Sequence, residues 1–252
     1  MNIAHFNSTQ WLIAIVAAFC VGLSKSGFGG MGMIAVLLVA GIMPAQESTG
    51  FLLPMLIFAD CFAVTAFRKH AQWSHIVRLI PPAFLGVIVA YAWMKWMKHI
   101  PDHVFKPLIG WLVLFMVILQ WLRSRNEDWM SHIPHTRGFG WIMGGACGIT
   151  TMLANAAGPI STMYLLAMKL PKWEFVGTGA WFFLIVNLFK VPFSIDLKLI
   201  NGLSVTTDLL LLPAIIAGIG LGRFLLSRIS QQVFENLLLA FTALAAVRLI
   251  MP

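Results

Sequence analysis

Two stretches rich in residues that disfavour helix decide how this chain folds: GLSKSGFGGMG at Gly22–Gly32 and GITTMLANAAGP at Gly148–Pro159. Each interrupts an apolar segment, Trp11–Met43 or Gly138–Met168, that is too long for one simple membrane span. Glycine costs about 1 kcal/mol in a helix interior, and proline about 3 kcal/mol. In lipid, backbone groups freed by such a break must find partners in protein or in a wet cavity. We therefore predict two half-helices in each segment, with a broken or re-entrant turn at the motif.

The composition identifies the class of protein to which these segments belong. The chain has 252 residues, of which 60% are hydrophobic and 10% charged, and its mean hydropathy is +0.87. Soluble domains are about 45–50% apolar and about 25% charged. So few charges cannot cover a water-soluble surface, which excludes a soluble enzyme, a nucleic-acid-binding protein and a disordered scaffold. The net charge of +8 fits basic loops facing anionic lipid headgroups.

The charge-poor segments predict an all-α integral membrane protein of about eight transmembrane segments, because one span needs about 20 apolar residues. Besides the two interrupted segments, the predicted spans are Ser48–Phe67, Leu79–Met94, Pro107–Leu122, Phe175–Phe189, Leu209–Gly222 and Asn236–Val247. The three cysteines lie within apolar segments and form no CxxC pair, so we expect buried packing thiols and neither a disulfide nor a metal site.

The two halves of the chain share a pattern at a shift of 127 residues. The aligned pairs are Cys20 with Cys147, Pro44 with Pro171, Gly50 with Gly177, Asp60 with Asn187, and Phe62 with Phe189. We therefore divide the chain into a first repeat at residues 1–122, a polar linker at 123–137 and a second repeat at 138–252. Interrupted helices at matching positions of two repeats indicate the binding site of a secondary transporter.

The first break carries the chemistry of an anion site. Lys25 is the only formal charge in residues 1–46, and hydroxyls and glycines surround it. Unwound backbone at the start of a half-helix offers N–H groups and a positive dipole end to an anion. The predicted ligands here are Ser24, Lys25, Ser26, Gly27, Gly29 and Gly30. The alternative is a lysine that snorkels, with its alkyl chain along apolar surface and its ammonium at the lipid interface.

Uncharged polar groups of the second break, Thr151, Asn155 and Gly158, would complete this cavity, although threonines in membranes often serve helix–helix contacts instead. Asn187 and Lys190 are further candidates, and Lys190 lies close enough to a span end that reaching the interface is a serious alternative for it. Asp60 is an ionisable residue within a span, and such residues are functional candidates by default. Asp60 would carry a proton or neutralise Lys25 or Lys190.

The two break motifs give the chain a resemblance to a known family. GLSKSGFGGMGMIAVLLVAGIMP in the first half, and TTMLANAAGPISTMYLL followed by WEFVGTGAWFFLIVNLFKVPF in the second, resemble the TauE/SafE family of sulfite and organosulfonate exporters. The resemblance covers nearly the whole chain. It implies an inner-membrane carrier of about eight segments, built from two repeats, that moves sulfur-containing or carboxylated anions.

Together these features predict a transporter of small sulfur oxyanions, sulfite or an organosulfonate, that works by alternating access at a midplane site between the two breaks. We expect a bacterial inner-membrane location, a small anion and the lipid bilayer as partners, and no nucleic acid, metal or cofactor. Proton coupling through Asp60 and a homodimeric state are left open. The alternative is a membrane-embedded enzyme acting on a lipid phosphate, although the sequence has no intramembrane histidine or carboxylate pair for acid–base work.

Overall fold

The computed structural model describes residues 6–26, 31–97, 101–125, 136–168, 170–200 and 202–226, with the isolated positions 243, 247, 250 and 251. These residues form helices and no strand, which confirms the predicted all-α class for them. The helices are α1 (Ser8–Ser24), α2 (Met31–Ile42), α3 (Ala45–Phe67), α4 (Trp73–Trp96), α5 (Asp102–Arg125), α6 (Arg137–Ala154), α7 (Gly158–Ala167), α8 (Lys172–Asp196) and α9 (Gly202–Leu226). A 3₁₀ turn, Arg68–His70, extends α3.

Three of these helices are long and apolar enough to cross a membrane: Ala45–His70, Trp73–Trp96 and Trp173–Asp196. Shorter apolar helices cover Ser8–Ser24, Met31–Ile42 and Thr206–Gly222. The total of about eight spans stays a prediction, because the last predicted span, Asn236–Val247, lies almost wholly outside the described residues. At the linker, α5 continues to Arg125 and α6 begins at Arg137, so the helices extend past both boundaries assigned from the sequence.

The first interrupted segment is a helical hairpin. Its entry is fixed by a capping box, in which the Asn7 side chain accepts from the Gln10 amide at 2.8 Å and the Gln10 side chain accepts from the Asn7 amide at 3.0 Å. The Gln10 side chain also donates to the Ile42 carbonyl at 3.2 Å, which ties the start of α1 to the end of α2. The two helices therefore run antiparallel.

The second interrupted segment is also a hairpin, and its turn is set by one residue. Asn155 caps α6 with φ 52° and ψ 29°, a left-handed conformation that asparagine tolerates better than most residues. Beyond the turn, the Ala157 carbonyl accepts from the Cys147 thiol at 3.8 Å. Further from the turn, the rings of Phe139 and Tyr164 stack at 5.8 Å. Helices α6 and α7 therefore also lie antiparallel.

The two hairpins enter the helix bundle from opposite ends of α3. The base of the first hairpin adjoins Ala45, where α3 begins. At the other end of α3, beyond the 3₁₀ turn, His75 hydrogen-bonds with Tyr164 at 3.2 Å near the base of the second hairpin. Helix α3 has 23 residues and is about 34 Å long, so the two bases are far apart. The tips of both hairpins therefore enter the interior from opposite sides.

Glycines bring the first arm of each hairpin against one helix of the other half. Helix α1 packs on α9 and α6 packs on α4, and these are the two most extensive helix contacts between the halves. A Cβ on Gly22 would collide with the Ile215 carbonyl, and a Cβ on Gly148 would collide with the Ala83 carbonyl. A shift of 127 residues aligns α1 with α6 and α4 with α9, so the predicted repeat would exchange the two contacts.

Helices α3 and α8 form the central pair and run antiparallel. Gly50 packs on the Leu199 backbone after the end of α8, and Gly177 packs on the Phe67 carbonyl at the end of α3. Between these two contacts, Asn187 donates to Asp60 at 2.8 Å. One side-chain expectation is wrong: Cys61 on α3 is exposed on the outside of the bundle, whereas Cys20 and Cys147 are buried as expected.

Candidate functional site

The tip of the first hairpin carries a buried ion pair. Lys25, which caps α1, places its ammonium 2.6 Å from Asp60 Oδ1, while Asn187 donates to the other carboxylate oxygen at 2.8 Å. Asp60 is completely buried, and the Lys25 side chain is only 11% exposed. The Lys25 ammonium also lies 4.8 Å from the centroid of the Phe183 ring, a cation–π distance. Lys25 therefore lies inside the protein and does not reach the lipid interface.

The tip of the second hairpin holds a second buried lysine. The Lys190 ammonium donates to the Thr151 carbonyl at 2.7 Å, to the Thr151 hydroxyl at 3.2 Å and to the Asn155 side-chain oxygen at 2.6 Å. The Asn155 amide group in turn donates to the Thr49 carbonyl on α3 at 2.9 Å, which fixes the orientation of its oxygen. Lys190 is 2% exposed, so it does not reach the interface, although it lies near the end of its helix.

With both lysines protonated, the two ammonium groups and the Asp60 carboxylate at the hairpin tips carry one excess positive charge. Lys190 lies close enough to both Asp60 and Lys25 to interact electrostatically with each. Its hydrogen-bond partners are all neutral, and no carboxylate of the described residues forms an ion pair with it. An isolated buried charge is strongly unfavourable unless a counter-charge is supplied. The arrangement is therefore electrostatically suited to a small anion.

The remaining predicted ligands fare differently. The Ser24 hydroxyl donates to the Val21 carbonyl at 2.7 Å and the Ser26 hydroxyl donates to the Ile219 carbonyl at 3.0 Å, so neither proton is available to an anion in this conformation. Gly158 begins α7, three residues after Asn155 in the same turn. The predicted ligands Gly27, Gly29 and Gly30 lie outside the described residues.

Two features of the interior were missed from the sequence. The ring of Phe183 beside Lys25 was indistinguishable from any other apolar core residue. Asp208 was placed outside the span predicted at Leu209–Gly222, yet α9 begins at Gly202 and Asp208 is completely buried. The signal was available, because Asp208 is the only acidic residue between Asp196 and Glu235 and directly precedes the apolar run.

Apolar helices of membrane length, around two hairpins whose tips hold buried lysines, are typical of a helical membrane transporter. Its family is then given directly by comparison, because the model of a family described as Sulfite exporter TauE/SafE matches residues 14–249. The match covers nearly the whole sequence, and the chain belongs to this family. TauE/SafE proteins are transporters and not enzymes. This confirms the transporter predicted from the sequence and removes the lipid-phosphate enzyme as an alternative.

Neither the comparison with curated proteins nor the comparison with solved structures gives a match.

Proposed function

We propose that this protein exports small sulfur oxyanions, sulfite or an organosulfonate, across the bacterial inner membrane by alternating access. The observation that carries the proposal is that two buried lysines, Lys25 and Lys190, lie at the hairpin tips with one carboxylate, Asp60, between them, so the protonated pair has an excess positive charge. A singly charged anion entering between the tips would neutralise that excess. The family description, which names sulfite, supports the choice of anion.

Lys190 is the group we assign to the substrate, and Lys25 has a different role. Lys25 is already neutralised by Asp60 at 2.6 Å, whereas Lys190 is held only by neutral oxygens that an anion could displace or supplement. A pyramidal or tetrahedral oxyanion accepts hydrogen bonds from several directions, so it could take the ammonium of Lys190 together with donors from the turns. Export of a negative charge is favoured by an inside-negative membrane potential.

Alternating access would follow from an inverted repeat. Asp60 and Asn187 are equivalent at the 127-residue shift and hydrogen-bond to each other, which supports a pseudo-two-fold axis passing between them. Because α3 and α8 are antiparallel, such an axis would be perpendicular to both helices and would lie in the plane of the membrane. Two conformations related by exchange of the two halves would open the same site to opposite sides.

Lys190→Met tests the assignment of the substrate charge. We expect the variant to bind sulfite about 10- to 100-fold more weakly, because losing a charge-assisted hydrogen bond costs about 1.5–3 kcal/mol. Lys190→Arg should retain much of the affinity. The measurement is sulfite-dependent stabilisation of the purified protein against heat, together with sulfite flux in proteoliposomes, with methanesulfonate, sulfate and acetate as competing anions.

Lys95→Met is the matched control, because Lys95 is an exposed lysine that pairs with Asp196 at 2.8 Å at the end of α4. This variant should bind and transport sulfite as the parent does. Equal affinity in folded Lys190→Met and parent protein would remove Lys190 from the site. A parent protein that moves acetate but neither sulfite nor methanesulfonate would overturn the choice of sulfur anions.

A further inference from the structure

A buried acid on α9 takes no part in the site described above. Asp208 has no solvent exposure, and neither of its carboxylate oxygens has a hydrogen-bond partner among the described residues. No basic side chain of this part of the chain pairs with it either. Asp60, which is also a fully buried acid of the described residues, by contrast forms an ion pair with Lys25 and accepts from the Asn187 amide.

The difference between the two acids fixes their charge states. A carboxylate that accepts from an ammonium and an amide is stabilised as an anion. A carboxylate without donor or counter-charge in an apolar interior takes up a proton instead, because burying an isolated ionised carboxylate is far more unfavourable. This geometry therefore favours the neutral acid at Asp208, whereas the two donors at Asp60 favour its anion.

Among the described residues, the helices packed around Asp208 supply no group that would keep it ionised. Helix α9 packs against α1 and α3. The only ionisable group of α1 is the thiol Cys20, and those of α3 are Glu47, Asp60 and the outward-facing Cys61. Each of these groups is acidic or neutral, so none offers Asp208 a compensating positive charge.

Asp208 is also remote from the Lys25–Asp60 pair. Helices α1 and α9 run parallel, because Gly22 meets Ile215 while Ser26, one turn later, bonds to Ile219 and touches Gly222. Asp208 precedes Gly222 by fourteen residues, which is about 21 Å along the helix. A proton on Asp208 is therefore bound at a place distinct from the tip of the first hairpin.

We propose that Asp208 is the proton-binding site that couples transport to a pH gradient, in place of Asp60. A buried acid with unsatisfied oxygens makes the folded protein less stable than an apolar residue at that position would. Its presence within an apolar helix therefore indicates a function. In the conformation described here Asp208 holds the proton. It would release that proton to water when α9, moving with α1, opens toward one side. This inference rests on the proposed transport function.

The first test measures flux. Purified protein in proteoliposomes, with the membrane potential clamped at zero by potassium and valinomycin, should move sulfite faster when a pH gradient is imposed. Asp208→Asn, which mimics the protonated acid, should lose that acceleration at least tenfold while retaining sulfite exchange without a gradient. Asp208→Glu should restore it. The matched control is Asp196→Asn, which changes an exposed acid on α8 and should leave the acceleration intact.

The second test needs no transport. Thermal unfolding of the purified protein in detergent should give a Tm that falls as pH rises from 5 to 9, because the unfolded chain releases the Asp208 proton while the folded chain retains it. The Tm of Asp208→Asn should lack that component. If both Tm profiles agree and the variant keeps its response to a pH gradient, the inference is wrong. A sodium gradient that drives the parent but not Asp208→Asn, with no effect of pH, would also overturn it.

The two proposals fail separately. If the parent moves no sulfite while the Tm of the parent and of Asp208→Asn differ with pH as expected, the proposed substrate is wrong and the proton site stands. If sulfite is transported and its dependence on pH survives in Asp208→Asn, transport stands and the assignment of Asp208 falls.

Discussion

At the scale of single residues, Asn155 has two roles, one of its backbone and one of its side chain, that the sequence alone does not distinguish. Its left-handed backbone ends α6 and turns the chain into α7. Its side chain accepts from Lys190 at 2.6 Å and donates to the Thr49 carbonyl at 2.9 Å. Glycine would satisfy the backbone conformation better, but it would leave the Lys190 ammonium without this oxygen. The residue that makes the turn therefore also positions the proposed substrate charge.

The Lys25–Asp60 pair gives a prediction at the same scale. Lys25→Met and Asp60→Asn should each destabilise the protein by about 3–5 kcal/mol, because each leaves one uncompensated charge in the interior. The double variant should be more stable than the sum of the single effects predicts, since it buries neither charge. Thermal unfolding of the four proteins in detergent measures this coupling. Strictly additive losses of stability in the double variant would show that Lys25 and Asp60 do not form an ion pair in the purified protein.

Asp60→Asn also separates the two roles that the sequence leaves open for this residue. Its ion pair with Lys25 favours the neutralising role. With the carboxylate removed, Lys25 becomes a second unpaired cation, so the site should bind sulfite more tightly. If the flux of this variant no longer depended on a pH gradient and its affinity for sulfite did not rise, Asp60 would be the proton carrier instead.

At the scale of helices, close packing through glycine decides which elements move together. On α9, a Cβ added to Gly218 would collide with the Phe19 carbonyl of α1, while a Cβ on Gly220 would meet nothing within 4 Å. Backbones that approach this closely gain van der Waals contact along the whole crossing, and small residues are enriched at such crossings in membranes. Helices α1 and α9 should therefore behave as one rigid unit, and so should α4 and α6.

This pair of glycines forms a matched test. Gly218→Ala should lower the Tm markedly and reduce flux, because the methyl group forces α1 and α9 apart. Gly220→Ala, two residues further along the same helix, should leave Tm unchanged or raise it, since alanine is favoured over glycine in a helix by about 1 kcal/mol. Equal effects of the two substitutions on Tm would contradict the close packing of α1 on α9 at Gly218.

At the scale of the whole molecule, the contacts of the two halves exchange with one another. Under the predicted repeat the α1–α9 and α4–α6 contacts would be equivalent, and the α3–α8 pair would correspond to itself. The hairpin bases lie at opposite ends of α3. With three crossings after a hairpin that turns back, the second half would enter the membrane from the side opposite to the first.

Labelling from one side of the membrane tests this inverted topology. In a protein whose Cys20, Cys61 and Cys147 are replaced by alanine, we expect Ser8→Cys and Arg137→Cys to react with a membrane-impermeant maleimide from opposite sides. Both positions are exposed at the start of a hairpin. Ser74→Cys, at the start of α4, should react from the same side as Arg137→Cys. Labelling of Ser8→Cys and Arg137→Cys from one common side would exclude inverted repeats.

The sequence alone determined the class of the protein, the two helix breaks and the residues to suspect. Charge scarcity, glycine and proline in the middle of apolar segments, and ionisable residues within spans each have a local energetic cause, so they can be recognised without coordinates. The polar residues Lys25, Asp60, Asn155, Asn187 and Lys190 were identified in this way. Their grouping at the hairpin tips was not predictable in detail, because hydrogen bonds between distant residues depend on how the helices pack.

Only the tertiary structure decided which charges are compensated. It pairs Lys25 with Asp60, leaves Lys190 among neutral oxygens, and buries Asp208 without a partner among the described residues. It also directs the hydroxyls of Ser24 and Ser26 to backbone carbonyls and the Cys61 side chain outward. In each case the residue type fixes what a group can do, whereas the distance to groups far along the chain fixes its charge and its partner. Those distances arise from helix packing, which a single sequence does not encode locally.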